Sequence, residues 1–435
     1  MNGRFSEITF QWRHPKKGTV YVRSGDRALF ERTENEMQKT IRILLAFVCA
    51  LSMMGGNGTV EQSAVKSKNP HEASWISDEM AQTLDSIERI DDNGAFYEMN
   101  YTADYYDPVV LNVVEEAIKA FDTGCSAFTT YSSDGSFLFC RNYDYRHKDT
   151  DGNYTGLNVL IHFAPEGKLR SIGVCDAFWL DPSAYFSGTL DDGKTDISNL
   201  ALAPYLCVDG MNEAGLAASL LVVDVKDGEM ATDQDTGRQR ISHAMLLRYI
   251  MDNAHNIEEA IAIAQDYDVY STGGNDVHMF ISQKDGISAV FEWRQYGDDE
   301  KQELYVTYTN AVTNFYVGFD DGQDSYRADG SLRELCVKIS PTYNDYRYGY
   351  GHGYHRFNQI ISSLERYVQD VENIKGIRNS IMEESQAFDL LSVTAQSPGI
   401  ENTSFTQYSA IYNLADLSVS FWIQQNYEKV YTFEW

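Results

Sequence analysis

The order of strand-type and helix-type segments predicts an α+β fold built in layers. Three observations carry this. Asp134-Gly135 and Asp285-Gly286 each separate two apolar-rich runs, the strongest local sign of an antiparallel hairpin. Two amphipathic helices, about Ser242 to Asn253 and Ile257 to Gln265, lie between sheet segments rather than alternating with single strands. The chain then closes on two more strands, near Tyr408 to Asn413 and Ser418 to Ile423. Strands, then paired helices, then strands again argue against a parallel doubly wound sheet.

Each element follows from its pattern. From Trp75 to about Ala120 apolar residues recur at helix spacing (Ile76, Met80, Leu84, Ile87, and later Val109, Val110, Val113, Val114, Ile118), so helices are expected there. Strand character begins at Cys125 and continues through 153–163 and Tyr205 to Asp209. Asn212-Glu213-Ala214-Gly215 reads as a turn into 216–223, an apolar run suited to a strand buried on both faces. Asn256 fits a helix cap, with Glu258 and Glu259 favourable in the first turn that follows. Val277 to Ser282, Ile287 to Trp293 and Leu304 to Thr309 read as strands, and Tyr354 to about Asp370 as a helix.

Composition sets the outer limits. With 43% hydrophobic residues in a chain of 435, a large core is possible and a disordered chain is excluded. A formal net charge of −29, with no Lys/Arg block to offset it, disfavours nucleic acid or anionic lipid as partner. Lys39-Thr40-Arg42, the apolar run Ile43 to Met54 and the small-residue exit Gly55-Gly56 form a secretory-signal pattern, too short for an ordinary membrane span. The expected organisation is therefore an upstream extension from a mis-assigned start (1–36), a signal peptide starting at Met37 (37–56), a leader and helical pro-segment (57–124) and a catalytic domain (125–435), with a secreted or periplasmic product and no stable membrane span in its mature form. Cys49 lacks a lipobox context and leaves with the signal. Cys125, Cys140, Cys175, Cys207 and Cys336 are odd in number and widely spaced, with neither a disulfide-framework nor a metal-ligand pattern.

Chemistry concentrates at the first hairpin. If Ser133 faces Ser136 across a two-residue Asp-Gly turn, Cys125 lies opposite Asp144, with Cα atoms roughly 4.5–5.5 Å apart. A carboxylate disfavours a thiolate, so positive charge must come from elsewhere. The α-amine of Cys125 would supply it once the Gly124–Cys125 bond is cut. Arg141 and Asp144 fall on opposite faces under strict alternation, so a bulge or strand end is required for both to reach one site. Asn212 and Gly215 serve turn geometry, and nothing near His352 and His355 completes a metal site.

Cys125-Ser126-Ala127-Phe128, Arg141-Asn142-Tyr143-Asp144-Tyr145, Asp209 to Ala217, Val312-Thr313-Asn314 and His355-Arg356-Phe357 together resemble the choloylglycine hydrolase family of linear-amide hydrolases, in family order. These are N-terminal-nucleophile enzymes, and the resemblance implies a four-layer αββα sandwich. It also implies roles: Cys125 as nucleophile with its own α-amine as base, Asp144 orienting that amine, Arg141 setting the electrostatics and contacting substrate, Asn314 as oxyanion donor, and Arg356 stabilising charge near the thiol. No metal or organic cofactor is called for. The expected substrate is a small-molecule N-acyl amide with an apolar acyl side, cleaved through a Cys thioester.

Two departures matter. Where bile salt hydrolases carry a second oxyanion-hole Asn, and penicillin V acylases a Tyr, this chain has Val222. The long segment before Cys125 resembles the acid ceramidase branch and the penicillin acyltransferases, which implies autocleavage at Gly124–Cys125 by the Cys125 thiol. An acyltransferase using the same thioester, and a catalytically dead secreted binding protein, are the alternative readings.

Overall fold

A computed structural model describes residues 76–105, 125–148, 153–180, 190, 197–223, 231–271, 276–295, 302–317, 325–327, 352–372, 375, 378–397 and 404–434. In chain order its strands are β1 (Glu88–Arg89), β2 (Phe96–Tyr101), β3 (Ser126–Tyr131), β4 (Phe137–Tyr145), β5 (Asn158–Phe163), β6 (Ser171–Asp176), β7 (Cys207–Asn212), β8 (Leu216–Val223), β9 (Gln239–Ser242), β10 (Tyr267–Tyr270), β11 (Asp276–Gln283), β12 (Ile287–Gln295), β13 (Gln302–Tyr308), β14 (Ala311–Val312), β15 (Ser325–Arg327), β16 (Val368–Glu372), β17 (Arg378–Ser380), β18 (Phe405–Asn413), β19 (Ser418–Ile423) and β20 (Tyr431–Glu434). The α-helices are α1 (Asp78–Asp85), α2 (His243–Asn253), α3 (Ile257–Gln265), α4 (His352–Arg366) and α5 (Glu384–Thr394).

Two sheets dominate. One has ten strands in the order β1-β2-β5-β6-β7-β8-β11-β12-β13-β15; the other has six, β14-β3-β4-β18-β19-β20. Every pairing in them is antiparallel except β2 with β5. Alternation along β4 divides its side chains between two environments. Phe139 stacks on Phe280 of β11 at 5.4 Å, so one face meets the ten-stranded sheet. Cys140 and Leu138 instead join Phe357, Ile360 and Leu364 of α4 and Leu390 and Leu391 of α5 in a second apolar cluster. Helix α2 lies on β7, β8 and β11. The result is the four-layer αββα sandwich, with helices outside both sheets.

The helices between the sheet segments start as their sequences direct. Ser242 Oγ accepts from Met245 N at the head of α2, and Asn256 Oδ1 accepts from Glu259 N at the head of α3. Asn212 does shape the turn: its Oδ1 accepts from Ala214 N and Leu216 N, and its Nδ2 also donates to Met251 O and Ala254 O at the end of α2.

Several expectations are corrected. The helix after Trp75 stops at Asp85, and 96–101 is a strand. Val159, Leu160 and Ile161 on the neighbouring β5 offer Phe96–Tyr101 a buried ladder, and tertiary pairing overrides local periodicity. Val109 to Ile118 lie outside the described residues, as do the signal-pattern segment, Gly124, Cys49 and Cys336. Strand β5 starts at Asn158, and residues 198–206 form a 3₁₀ segment before β7. Helix α4 ends at Arg366, and the chain turns into β16. No described helix is long and apolar enough to cross a membrane.

The first hairpin also differs by one residue. Ser126 pairs with Asn142 and Phe128 with Cys140, so the ladder closes on Ser132 and Ser136 around a three-residue loop. Gly135 takes φ +91° there, and Gly286 takes the same φ at the third loop position of the β11–β12 hairpin. One left-handed residue in a three-residue loop replaces the two needed in a two-residue turn. Extending that register sets Cys125 opposite Tyr143, on the Arg141 face, not opposite Asp144.

Candidate active site

Cys125 sits immediately before β3, and a strand end exposes its side chain and its backbone to different neighbours. On the thiol side, Arg141 Nη2 approaches Cys125 Sγ at 3.7 Å. The guanidinium is held on all sides: Nε meets Asp209 Oδ2 at 3.0 Å, Nη1 donates to Val208 O at 2.9 Å and Nη2 to Leu220 O at 2.8 Å. Those two carbonyls are where β7 and β8 part. The last ladder pair is Asp209 with Ser219, and one step further Val208 and Leu220 would face each other. Arg141 fills the fork and satisfies the carbonyls that the ladder leaves behind.

Asp209 is in turn bonded by Tyr408 Oη at 2.6 Å and Tyr412 Oη at 2.7 Å, both on β18. Burial pushes its carboxyl above the ordinary value, against the pull of Arg141 and the two phenols. Burial is the largest single influence and works against the charge of Arg141, but Asp209, with Cys125, Tyr408 and Tyr143 behind it, outweighs it, and the guanidinium is more firmly protonated than in water.

The main-chain side is organised differently. Asp144 points away from the ten-stranded sheet and accepts from Thr406 Oγ1 and Gln396 Nε2, each at 2.5 Å. Arg356, on α4, donates from Nη1 to Cys125 O at 2.7 Å, lies 3.4 Å from Asp144 Oδ2 with the same nitrogen, and donates from Nη2 to Asn314 Oδ1 at 2.6 Å. Asn314 Nδ2 reaches Val222 O at 2.6 Å. Burial raises the Asp144 carboxyl above its usual range; Arg356, Thr406 and Gln396 oppose this without cancelling it.

The structure thus gathers Cys125, Arg141, Asp144, Asn314 and Arg356 into one buried network. Strand β4 itself keeps strict alternation. The irregularity is on its neighbour β18, where the pairing shifts between Thr406 and Tyr408 opposite Asp144 and Tyr143. What joins the two faces is Cys125 at its strand end. The charge near the thiol is a guanidinium, and the carboxylate lies on the other face.

Asp209, Gln396 and Thr406 were not singled out from sequence. Asp209 had a signal, a carboxylate inside a strand amid apolar neighbours. Gln396 and Thr406 had none, since their partner Asp144 is more than 250 positions away. Among the described residues no three His, Cys, Asp or Glu side chains gather as a metal site.

Residues 199–415 match the family model described as acyl-coenzyme A:6-aminopenicillanic acid acyl-transferase. No curated protein matches the chain by sequence. Among solved structures, a variant of conjugated bile acid hydrolase from Clostridium perfringens is similar at 17% identity over 71% of this chain and 92% of its own, with a TM-score of 0.44. Penicillin V acylase from Agrobacterium tumefaciens is similar at 16% identity over 71% and 86%, with a TM-score of 0.40.

Proposed function

We propose that this chain, whose family-model match and αββα layers support assignment to the N-terminal-nucleophile, linear-amide C–N hydrolase superfamily, cleaves a small-molecule N-acyl amide through a thioester on Cys125. The observation that carries the reading is the convergence of Arg141, Asp144, Asn314 and Arg356 on one cysteine at a strand start.

Processing comes first: the Cys125 thiol attacks the Gly124 carbonyl, the acyl group passes from nitrogen to sulfur and frees the α-amine, and water hydrolyses that thioester to leave the Gly124 carboxylate and restore the thiol. Arg356 holds both the Cys125 carbonyl and the Asp144 carboxylate, which sets that carboxylate on the main-chain side where the amine forms. The amine then takes the thiol proton, and Arg141, immobilised by Asp209 and two carbonyls, favours the resulting thiolate. Sulfur attacks the amide carbon. Asn314 Nδ2, oriented because Arg356 occupies Oδ1, donates to the oxyanion. The substrate nitrogen leaves with the proton, and water resolves the thioester.

An apolar acyl side is in keeping with the buried aromatic cluster at the end of β4. Tyr143 Oη bonds Asp176 at 2.8 Å, and Tyr145 packs on Trp179 at a centroid distance of 5.0 Å. His147 lies 4.1 Å from Phe178.

Intact mass and N-terminal sequencing of the wild type beside Cys125→Ala test the processing step: a new terminus at Cys125 is expected in the wild type alone. Identical unprocessed chains in both would refute it. Because β2 is paired to β5, Tyr101 Oη donates to Ala201 O at 2.6 Å and Tyr105 Oη to Asp252 Oδ2 at 2.8 Å, the two fragments should co-elute in native gel filtration and separate only in denaturant. A panel of glycine-conjugated bile acid, penicillin V, N-acyl homoserine lactone and N-acylethanolamine then tests amide turnover. The name of the matching family model favours one second reading, transfer of the acyl group to an amine. An added amine nucleophile that diverts product from free acid to new amide separates the two.

A further inference from the structure

We propose that His278, held by Glu292, is a positioning residue that fixes Asn314 for oxyanion binding, an inference that rests on the hydrolase reading. His278 lies on β11 and faces the six-stranded sheet, two residues before Phe280 on the same side of its strand. Its Nε2 is 2.8 Å from Thr313 O, and its Nδ1 is 2.9 Å from Glu292 Oε1. A carbonyl can only accept, so Nε2 carries a hydrogen. Glu292 Oε1 also accepts from Val317 N at 2.9 Å. A proton therefore sits between Nδ1 and Oε1, and the pair grips the backbone on both sides of Asn314.

The grip acts on the right bond. Thr313 O belongs to the peptide whose nitrogen is that of Asn314, so holding it sets the peptide plane from which the Asn314 side chain departs. The side chain is then fixed at both ends by Arg356 and Val222 O. Donors at an oxyanion site act only when placed to within a fraction of an ångström. His278 touches no reacting atom; it acts through Asn314. Other clasps on the same segment do not depend on it, namely Tyr316 Oη to Asp276 Oδ2 at 2.7 Å and Thr313 Oγ1 to Gly353 O at 3.0 Å. Loss of His278 should therefore shift the segment without unfolding it.

Two double variants isolate the donor. In H278Q/E292Q the amide at 278 can donate to Thr313 O and accept from the amide at 292, which still accepts from Val317 N. In H278M/E292Q the side chain at 278 keeps nearly the same length but cannot donate, and no buried carboxylate is stranded. Turnover of the panel amide on which the wild type is fastest is measured per chain carrying a Cys125 terminus, alongside the rate of Cys125 alkylation by iodoacetamide. Alkylation passes through no tetrahedral oxyanion. The Met variant should lose about 10- to 100-fold in kcat, with KM and alkylation within about threefold of wild type. The Gln variant should recover to within about fivefold. A processing block in the Met variant that the Gln variant relieves would support the same role. The inference is overturned if the Met variant keeps wild-type kcat, if alkylation falls in parallel with kcat, or if the Gln variant is no better than the Met variant or fails to fold. A wild type that turns over no panel amide overturns the hydrolase reading itself, and this inference with it.

Discussion

The two sides of Cys125 are built on different principles. On the thiol side a single guanidinium is paired with one carboxylate and donates to two backbone carbonyls, all buried between the sheets. On the main-chain side Arg356 bridges three groups, and Asp144 is held by Thr406 and Gln396, which come from separate elements. The first arrangement resembles a keystone for the β7–β8 fork. The second is a set of donors and acceptors that a reacting group can enter. The difference teaches that closeness to a nucleophile does not by itself distinguish a group that shapes the sheet from one that takes part in chemistry.

The largest effect should come from breaking the thiol side. Arg141→Met strands Asp209 and uncaps Val208 O and Leu220 O; removing one partner of a buried pair costs about 3–5 kcal/mol. Urea unfolding should show the midpoint falling at unchanged slope. Arg141→Met combined with Asp209→Leu should regain much of the loss, because no unpaired charge then stays buried. If the single variant unfolds like wild type, the keystone reading is wrong.

Asn314→Ala tests the other side and should separate activity from stability. Loss of an oxyanion donor lowers kcat by about 100- to 1,000-fold. The urea midpoint should fall by less than in Arg141→Met, since the variant leaves Val222 O and one Arg356 donor unpaired but strands no carboxylate. A variant that loses as much stability as Arg141→Met would make Asn314, like Arg141, a support of the sheets as well as a member of the site.

How far the sequence reaches is clearest at these residues. The spacing of Cys125, Arg141 and Asp144 within one hairpin was legible, because strand alternation and turn chemistry are local. Asn314 and Arg356 came only from resemblance. The register was misread by one residue, since Asp-Gly is compatible with two- and three-residue loops and only backbone φ decides between them. That single step moved the thiol from a carboxylate to a guanidinium. Asp209 became visible as a partner only when β7 and β4 faced each other. Val208, Leu220 and Val222 act through carbonyls, which leave no mark on residue identity. Strands β1 and β2 were hidden because Ile76 to Ile87 has helix spacing, and the pairing that makes 96–101 a strand is with residues 158–163.

A third measurement sharpens the contrast through pH. Burial holds the Asp144 carboxyl of the uncut chain above its usual range, so its protonation, which removes the partner of the α-amine, should contribute to the acid limb of kcat/KM above the pH at which an ordinary carboxylate titrates. Gln396 and Thr406 pull it down. Gln396→Leu should therefore move the acid limb to higher pH, and Tyr412→Phe, which removes a hydroxyl bonded to the thiol-side Asp209, should leave it in place. The stability sign is opposite to that of a salt-bridged surface carboxylate. A carboxyl raised in the folded state binds its proton more tightly there, so its contribution is fullest below the unfolded value and is lost as pH rises through the folded one. Equal shifts of the limb in both variants would mean that the two sides titrate as one unit.

The smallest effect concerns the turn that sets the register. Gly135 has φ +91° and nothing within 4 Å of the position a Cβ would take, so Gly135→Ala meets backbone strain alone. That strain is worth about 1 kcal/mol. Activity per processed chain should be unchanged, because the register is also fixed by the β4–β18 ladder and by Arg141 in its fork. Gly286→Ala has the same φ but directs its methyl into the Tyr131 ring, so it should cost more and disturb β3, the strand that follows Cys125. If Gly135→Ala alone lowers kcat in step with stability, the hairpin loop and not the fork holds the thiol against Arg141.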